Sequence, residues 1–291
     1  MPFLIAVTLL WALSFSLIGE YLAGQVDSYF SVLTRTALAS LLFLPLLRLR
    51  ALRLPIVGGL LLIGALQFGV TYICLYLSFE YISVPEVLLF TIFTPLHIAL
   101  VDNLIRRRFS LGPLIAASIA VVGAGIIRYD GLSDSFIRGF LIMQLANLTF
   151  AAGQVGYAHL ARRYQMTPRI QWQSFGLFFI GAFMVVLPAW LLLGDHSRMP
   201  HTSLQWGVLA WLGIAASGLG FFFWNRGAAQ VDAGTLGVMN NALVPAGLVV
   251  NLVIWNHDAD LLRLAAGSVV IALSLWVNAR WDAWRGVPIK V

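Results

Sequence analysis

The chain is a succession of apolar runs, each about as long as a bilayer is thick, and that pattern confines it to one environment. A helix needs roughly 20 mostly apolar residues to cross about 30 Å of hydrocarbon. Ten stretches have this character: 3–23, 29–47, 56–79, 84–104, 112–128, 138–160, 170–193, 205–227, 234–254 and 262–281. Turn and charge signals separate them, at Arg48 to Pro55, Arg106 to Pro113, Asp130 to Asp134 and Asp195 to Pro200. Barrel strands would alternate over segments of about 10 residues. These runs are longer and apolar all round, and a helix satisfies its own backbone hydrogen bonds in lipid. Only 10% of residues are charged against 60% hydrophobic, whereas soluble domains are about 25% charged. A soluble enzyme, a disordered chain and a nucleic-acid-binding module are excluded. The net charge of +6 comes from arginines placed between apolar runs, not on a dense basic face. A lone cysteine, Cys74, excludes an intrachain disulfide and a multi-cysteine metal site.

The first run has no basic residue before it and no small-residue cleavage site, so it reads as a retained span. Thirteen Arg and Lys residues follow even-numbered runs and four follow odd-numbered ones. The positive-inside rule then places both termini in the cytoplasm of a multi-pass bacterial inner-membrane protein. Trp190, Trp206, Trp255, Trp281 and Trp284 sit at run ends, as interfacial anchors do. Trp11 falls mid-run and does not fit that role.

The chain also repeats. A shift of 149 places Gly58 on Gly207, Gly64 on Gly213 and Gly69 on Gly218; a shift of 150 places Pro95 on Pro245 and Ser118 on Ser268. The pattern predicts two halves, 1–134 and 135–291, of five spans each. An odd number per half inverts the second relative to the first, an architecture that recurs in transporters. The expected fold is therefore an all-α membrane protein of ten transmembrane helices in two inverted five-helix repeats. Pro95 and Pro245 are expected to interrupt their spans as hinges, each depriving a carbonyl four residues earlier (Thr91 and Asn241) of its partner. In lipid such a carbonyl needs a neighbour, a water or a ligand.

Several segments carry a family resemblance. Leu9-Leu10-Trp11-Ala12-Leu13-Ser14-Phe15 opens the first span; Arg35 lies early in the second. Phe222-Phe223-Trp224-Asn225-Arg226-Gly227-Ala228 closes the eighth, and small residues lead into Pro245. In these features the chain resembles the ten-span EamA-type members of the drug/metabolite transporter superfamily. The resemblance implies a central cavity lined by spans 1, 3, 4, 6, 8 and 9, and movement of small metabolites, often export of amino acids.

Polar residues inside spans are costly and face the bundle interior. Glu86, Phe90, Thr94 and His97 share one face of the fourth run. Ser83-Val84-Pro85-Glu86 also reads as a capping box, the plainer role for Glu86, and packing is the plainer role for His97. Gln144, Asn147 and Gln154, followed by Tyr157, mark one face of the sixth run; neutral amides can bind amino and carboxyl groups without a buried charge. Tyr72 and Tyr76, Asn240 and Asn241, and Trp11, Ser14 and Phe15 complete the candidate substrate-binding set. Arg35 is expected to brace helices or gate the outer side ahead of binding a carboxylate. Asp102 pairs with Arg106 in an i, i+4 arrangement.

There is no phosphate-binding glycine loop and no clustered His/Cys motif, so no cofactor or metal is expected. The sequence thus predicts a secondary transporter, not an enzyme. It would export small metabolites, amino acids first, by alternating access through a central cavity. Its partners are a small-molecule substrate and the lipid bilayer, with protons as a further candidate and no nucleic acid. The alternatives are an exporter of drug-like aromatic solutes and, from other classes, an intramembrane enzyme or a passive channel.

Overall fold

A computed structural model describes the chain except for residues 83–86, 88–89, 108–110, 129–135, 251–252, 255–260 and 285–291. Glu86 and the expected boundary between the two halves lie outside the described residues. The described chain is helical. In order the helices are α1 (Pro2–Tyr21), α2 (Ser28–Leu46), α3 (Leu54–Ser78), α4 (Thr94–Arg106), α5 (Leu111–Arg128), α6 (Phe136–Arg163), α7 (Pro168–Leu193), α8 (Ser203–Ala228), α9 (Ala233–Asn241), α10 (Leu243–Val250) and α11 (Leu261–Trp284).

The expectation of ten transmembrane helices in two inverted five-helix repeats is corrected. Among the described residues, five helices are long and apolar enough to cross a membrane: α1, α2, α3, α7 and α8. The physical reasons differ by segment. The fourth run breaks at Ile92–Phe93, and α4 restarts at Thr94 with Pro95 in its first turn, leaving 13 residues. The ninth breaks at Ala242 into helices of 9 and 8 residues. In α5 and α11 the apolar part shortens to Leu114–Gly123 and Leu262–Asn278. Helix α6 is 28 residues long, but its amides and its arginines dilute the apolar character. Pro95 and Pro245 therefore fall in the first turns of new helices, where a missing N–H costs least.

Start signals explain the well-defined ends. Asp27 caps α2 by accepting from the Phe30 amide at 2.7 Å, and also accepts from the Asp195 amide at 3.0 Å. Thr202 and Gln205 form a reciprocal capping box at the start of α8. Asp232 caps α9 through the Thr235 amide at 2.9 Å.

Helices α3 and α8 each widen into a π-helical segment, Ala65–Val70 and Leu212–Leu219. Such segments loosen the regular backbone pairing and are frequent at functional sites. Glycines bring α3 and α7 into contact: a Cβ on Gly64 would fall onto the Phe178 carbonyl, and one on Gly181 onto the Leu61 carbonyl. Helix α2 packs on α7 and on the π segment of α8, α6 on α3 and α4, α9 on α4 and α5, and α1 on α8 and α10. A core of Phe43, Phe68, Phe175, Phe178, Phe179, Phe221 and Phe222 fills the space between α2, α3, α7 and α8.

Candidate substrate cavity

A cleft opens between α1, α3, α4, α6, α8, α9 and α10, with about 660 Å³ of empty space when its open mouth is counted. Helix periodicity places Thr8, Trp11 and Phe15 on one face of α1, and Met143, Ala146, Asn147 and Phe150 on one face of α6. Thr71, Tyr72 and Leu75 come from α3, Thr94 from α4, Trp224 from α8, and Met239 and Asn240 from α9; Thr91 and Leu243 complete the wall. Its walls are aromatic, its polar groups are neutral, and among the described residues no Asp, Glu, Lys or Arg lines it.

The aromatic wall is held in place by polar tips. Trp11 donates its indole N–H to the Ala216 carbonyl at 2.9 Å, inside the π segment of α8. Gly220 admits that ring, since a Cβ there would stand 2.9 Å from the indole nitrogen. Trp11 packs against Trp224, Phe221 and Phe150 with centroids 4.8, 5.2 and 5.9 Å away. Trp224 donates to Gln154 Oε1 at 2.8 Å, and Asn240 Nδ2 approaches the same oxygen at 3.3 Å. Gln154 itself lies behind the wall, fully buried, with its Nε2 unpaired among the described residues.

The interruption between Phe90 and Thr94 is satisfied by amides. Asn147 Nδ2 donates to the Phe90 carbonyl at 2.8 Å, and Asn147 Oδ1 accepts from the Thr94 hydroxyl at 3.1 Å. Asn241, at the second interruption, donates to the Ile92 carbonyl at 3.1 Å. The carbonyls that gain these side-chain partners are those of Phe90 and Ile92. Thr71 donates to the Leu66 carbonyl at 2.9 Å and lies 2.8 Å from the Thr149 hydroxyl.

Of the residues predicted from sequence, the cavity brings together Trp11, Phe15, Tyr72, Thr94, Asn147 and Asn240. Others stand outside its wall. Ser14 bonds back to the Leu10 carbonyl. His97 faces the Phe93 carbonyl at 3.0 Å. Phe90 packs on Phe140, and Tyr157 reaches Gln171 at 3.4 Å. Tyr76 is buried against Arg35, which Ser217, Tyr72 and Tyr76 hold at 3.0–3.2 Å. Pro95 packs beside Gly237, and Pro245 sits in the first turn of α10. Sequence reasoning did not assign Thr8, Thr71, Thr91, Met143, Phe150, Trp224 or Met239 to the site. Thr8 could have been found three residues before Trp11, and Met143 and Phe150 by helical spacing around Asn147.

Comparison with known proteins decides the family. A "Probable biotin transporter" of Pseudomonas aeruginosa is 62% identical over 96% of this chain and 97% of its own length. The chain belongs to the family of bacterial biotin transporters. A biotin transporter of Escherichia coli K12 is 52% identical, and one of Salmonella typhimurium 50%, each over 98% of this chain and 95% of the relative. The model of the EamA-like transporter family matches residues 1–129. A crystal structure 18% identical in sequence shares the fold, with a TM-score of 0.74 and 95% of each chain covered.

These findings correct two expectations. The reading as a ten-span EamA-type drug/metabolite transporter gives way, because the EamA-like match stops at residue 129 while the full-length relatives are biotin transporters. The expected export of amino acids or drug-like solutes by alternating access is overturned by the same relatives. Tyrosines and carboxamides in an apolar pocket suit many small solutes, so the residues alone could not name one. The protein is a multi-pass membrane transport protein of the bacterial inner membrane that moves a small molecule, and not an enzyme.

Proposed function

We propose that this chain carries biotin across the membrane through the cavity between α1, α3, α6, α8 and α9. The observation that carries the reading is a relative named as a probable biotin transporter at 62% identity over nearly the whole of both chains. The cavity chemistry supports it. Biotin presents a flat bicyclic body with a cyclic urea at one end and a carboxylate on a flexible chain at the other. Trp11, Trp224, Phe150 and Phe15 offer aromatic surface for the body. The carboxamide oxygens of Asn147 and Asn240 offer acceptors for the urea N–H groups.

Arg162 and Arg226 stand near the N-terminal turn of α1 and the connection after α8. Arg162 donates to the carbonyls of Ala228, Ala229 and Val231, and Arg226 lies over the Phe3 ring at 5.1 Å. This end faces the cytoplasm in our reading, together with the N-terminus, as the excess of arginine in its connections supports.

Counterflow tests the reading. Purified protein in liposomes preloaded with unlabelled biotin should accumulate external radiolabelled biotin, saturably and reversibly. Liposomes that show no counterflow above protein-free controls would remove the proposal. The same vesicles, run with and without an imposed pH gradient, read coupling to protons.

A further inference from the structure

Arg35 is fully buried in α2, yet its partners are neutral. Its Nε donates to the Ser217 hydroxyl at 3.0 Å, Nη1 to the Tyr76 hydroxyl at 3.2 Å and Nη2 to the Tyr72 hydroxyl at 3.2 Å. The guanidinium carbon also lies 4.3 Å from the centre of the Tyr72 ring. Among the described residues the ion pairs are Asp102–Arg106 and Asp195–Arg198, and neither reaches Arg35. A cation held inside a membrane protein without a counter-charge keeps a desolvation cost that an arriving anion would offset. Ring contacts and hydroxyl dipoles soften that cost but do not neutralise the charge.

Tyr72 connects this cation to the cavity. Tyr72 lines the wall, and its hydroxyl oxygen already accepts from Arg35. The hydroxyl proton is thereby left for another acceptor. Tyr76, one turn further along α3, has its hydroxyl polarised in the same way. A guanidinium carries more N–H groups than the three used here, so further donors remain to be satisfied.

We infer that Arg35, held from behind by Tyr76, sets the specificity for a substrate carboxylate by acting through the Tyr72 hydroxyl, as the positive end of a cavity whose described lining is neutral. The inference rests on the biotin reading and deepens it: the valerate carboxylate accepts from Tyr72, and the urea lies toward the carboxamides. Arg35 acts through tyrosine, so it is a positioning residue and not part of the cavity lining. It also ties α2, α3 and α8 together, which makes a purely structural role the competing account.

Competition binding separates the two. Radiolabelled biotin is bound to the detergent-purified protein and displaced by biotin or by its neutral carboxamide. The wild type should prefer biotin by tenfold or more. Arg35→Gln should weaken biotin by at least tenfold and leave the amide within about twofold, so the preference collapses. Arg35→Lys should restore part of it, and Tyr72→Phe should reduce it without loss of folded protein. Equal displacement by acid and amide in the wild type overturns the inference while leaving biotin binding intact. So does Arg35→Gln weakening both ligands equally. If Arg35→Gln fails to fold, a preference unchanged by both Tyr72→Phe and Tyr76→Phe overturns it. A wild type that binds neither ligand overturns the biotin reading itself, and this inference with it.

Discussion

The position of Trp224 in the cavity wall depends on one side chain behind it, and replacing Gln154 with leucine tests that dependence. Gln154 Oε1 is the acceptor for the Trp224 indole at 2.8 Å and for Asn240 at 3.3 Å. Asn240 keeps a second bond, to the Leu236 carbonyl at 2.8 Å; the indole has no other acceptor among the described bonds. Leaving a buried N–H without a partner costs about 1–3 kcal/mol. The substitution also removes the Gln154 Nε2, a buried donor already unpaired, which returns a cost of the same order. Global stability should therefore change little, within about 1 kcal/mol, and the effect should fall on the site. The indole turns toward a new acceptor and leaves its place beside Trp11. Loss of about 2 kcal/mol at the site corresponds to roughly 30-fold weaker binding. The assay is biotin titration followed by tryptophan fluorescence, with the thermal midpoint measured on the same samples. A variant that binds biotin within twofold of wild type at an unchanged midpoint would refute the reasoning. A midpoint that collapses together with affinity would show that Gln154 is simply structural.

Three further outcomes are expected. Asn147→Ala leaves the Phe90 carbonyl and the Thr94 hydroxyl without their amide partner, and biotin affinity measured by calorimetry should fall at least tenfold, in line with about 1–3 kcal/mol for unpaired buried groups. Gly64→Ala drives a methyl into the Phe178 carbonyl, whereas Gly58→Ala meets nothing within 4 Å; the first should cost about 3 kcal/mol or more and the second leave the thermal midpoint unchanged, as read by unfolding scans of both. Asp27→Ala removes the acceptor for the Phe30 and Asp195 amides; a lost cap costs about 1 kcal/mol, visible as a lower thermal midpoint and faster amide exchange at residues 28–31.

Part of the cavity was legible because polar groups stand out in apolar helices. Asn147, Asn240, Thr94 and Tyr72 announced themselves by contrast, and Trp11 by lying mid-run where an anchor has no purpose. Trp224, Phe150, Met143 and Met239 gave no such contrast. An apolar residue facing lipid and one facing a cavity look alike in a membrane sequence, because both surroundings are oily. The same blindness affected the count of spans. Pro95 and Pro245 lie two or three residues past the interruptions, but the sequence could not show that the chain turns at Ile92–Phe93 and at Ala242 and begins a new helix. Hydropathy averages across such a turn and reports one long run. The substrate was beyond reach for a different reason, since a neutral aromatic pocket selects by shape and by the few donors at its ends.

Asn241 has a consequence that reaches beyond capping. Its side chain leaves the last turn of α9 and holds the Ile92 carbonyl just before α4. One amide therefore staples two separate gaps in the helical framework to each other. Neither gap can widen alone without tearing that staple, so a displacement that starts at one is handed to the other. The end of α9 and the start of α4 are thereby tied to each other across the bundle.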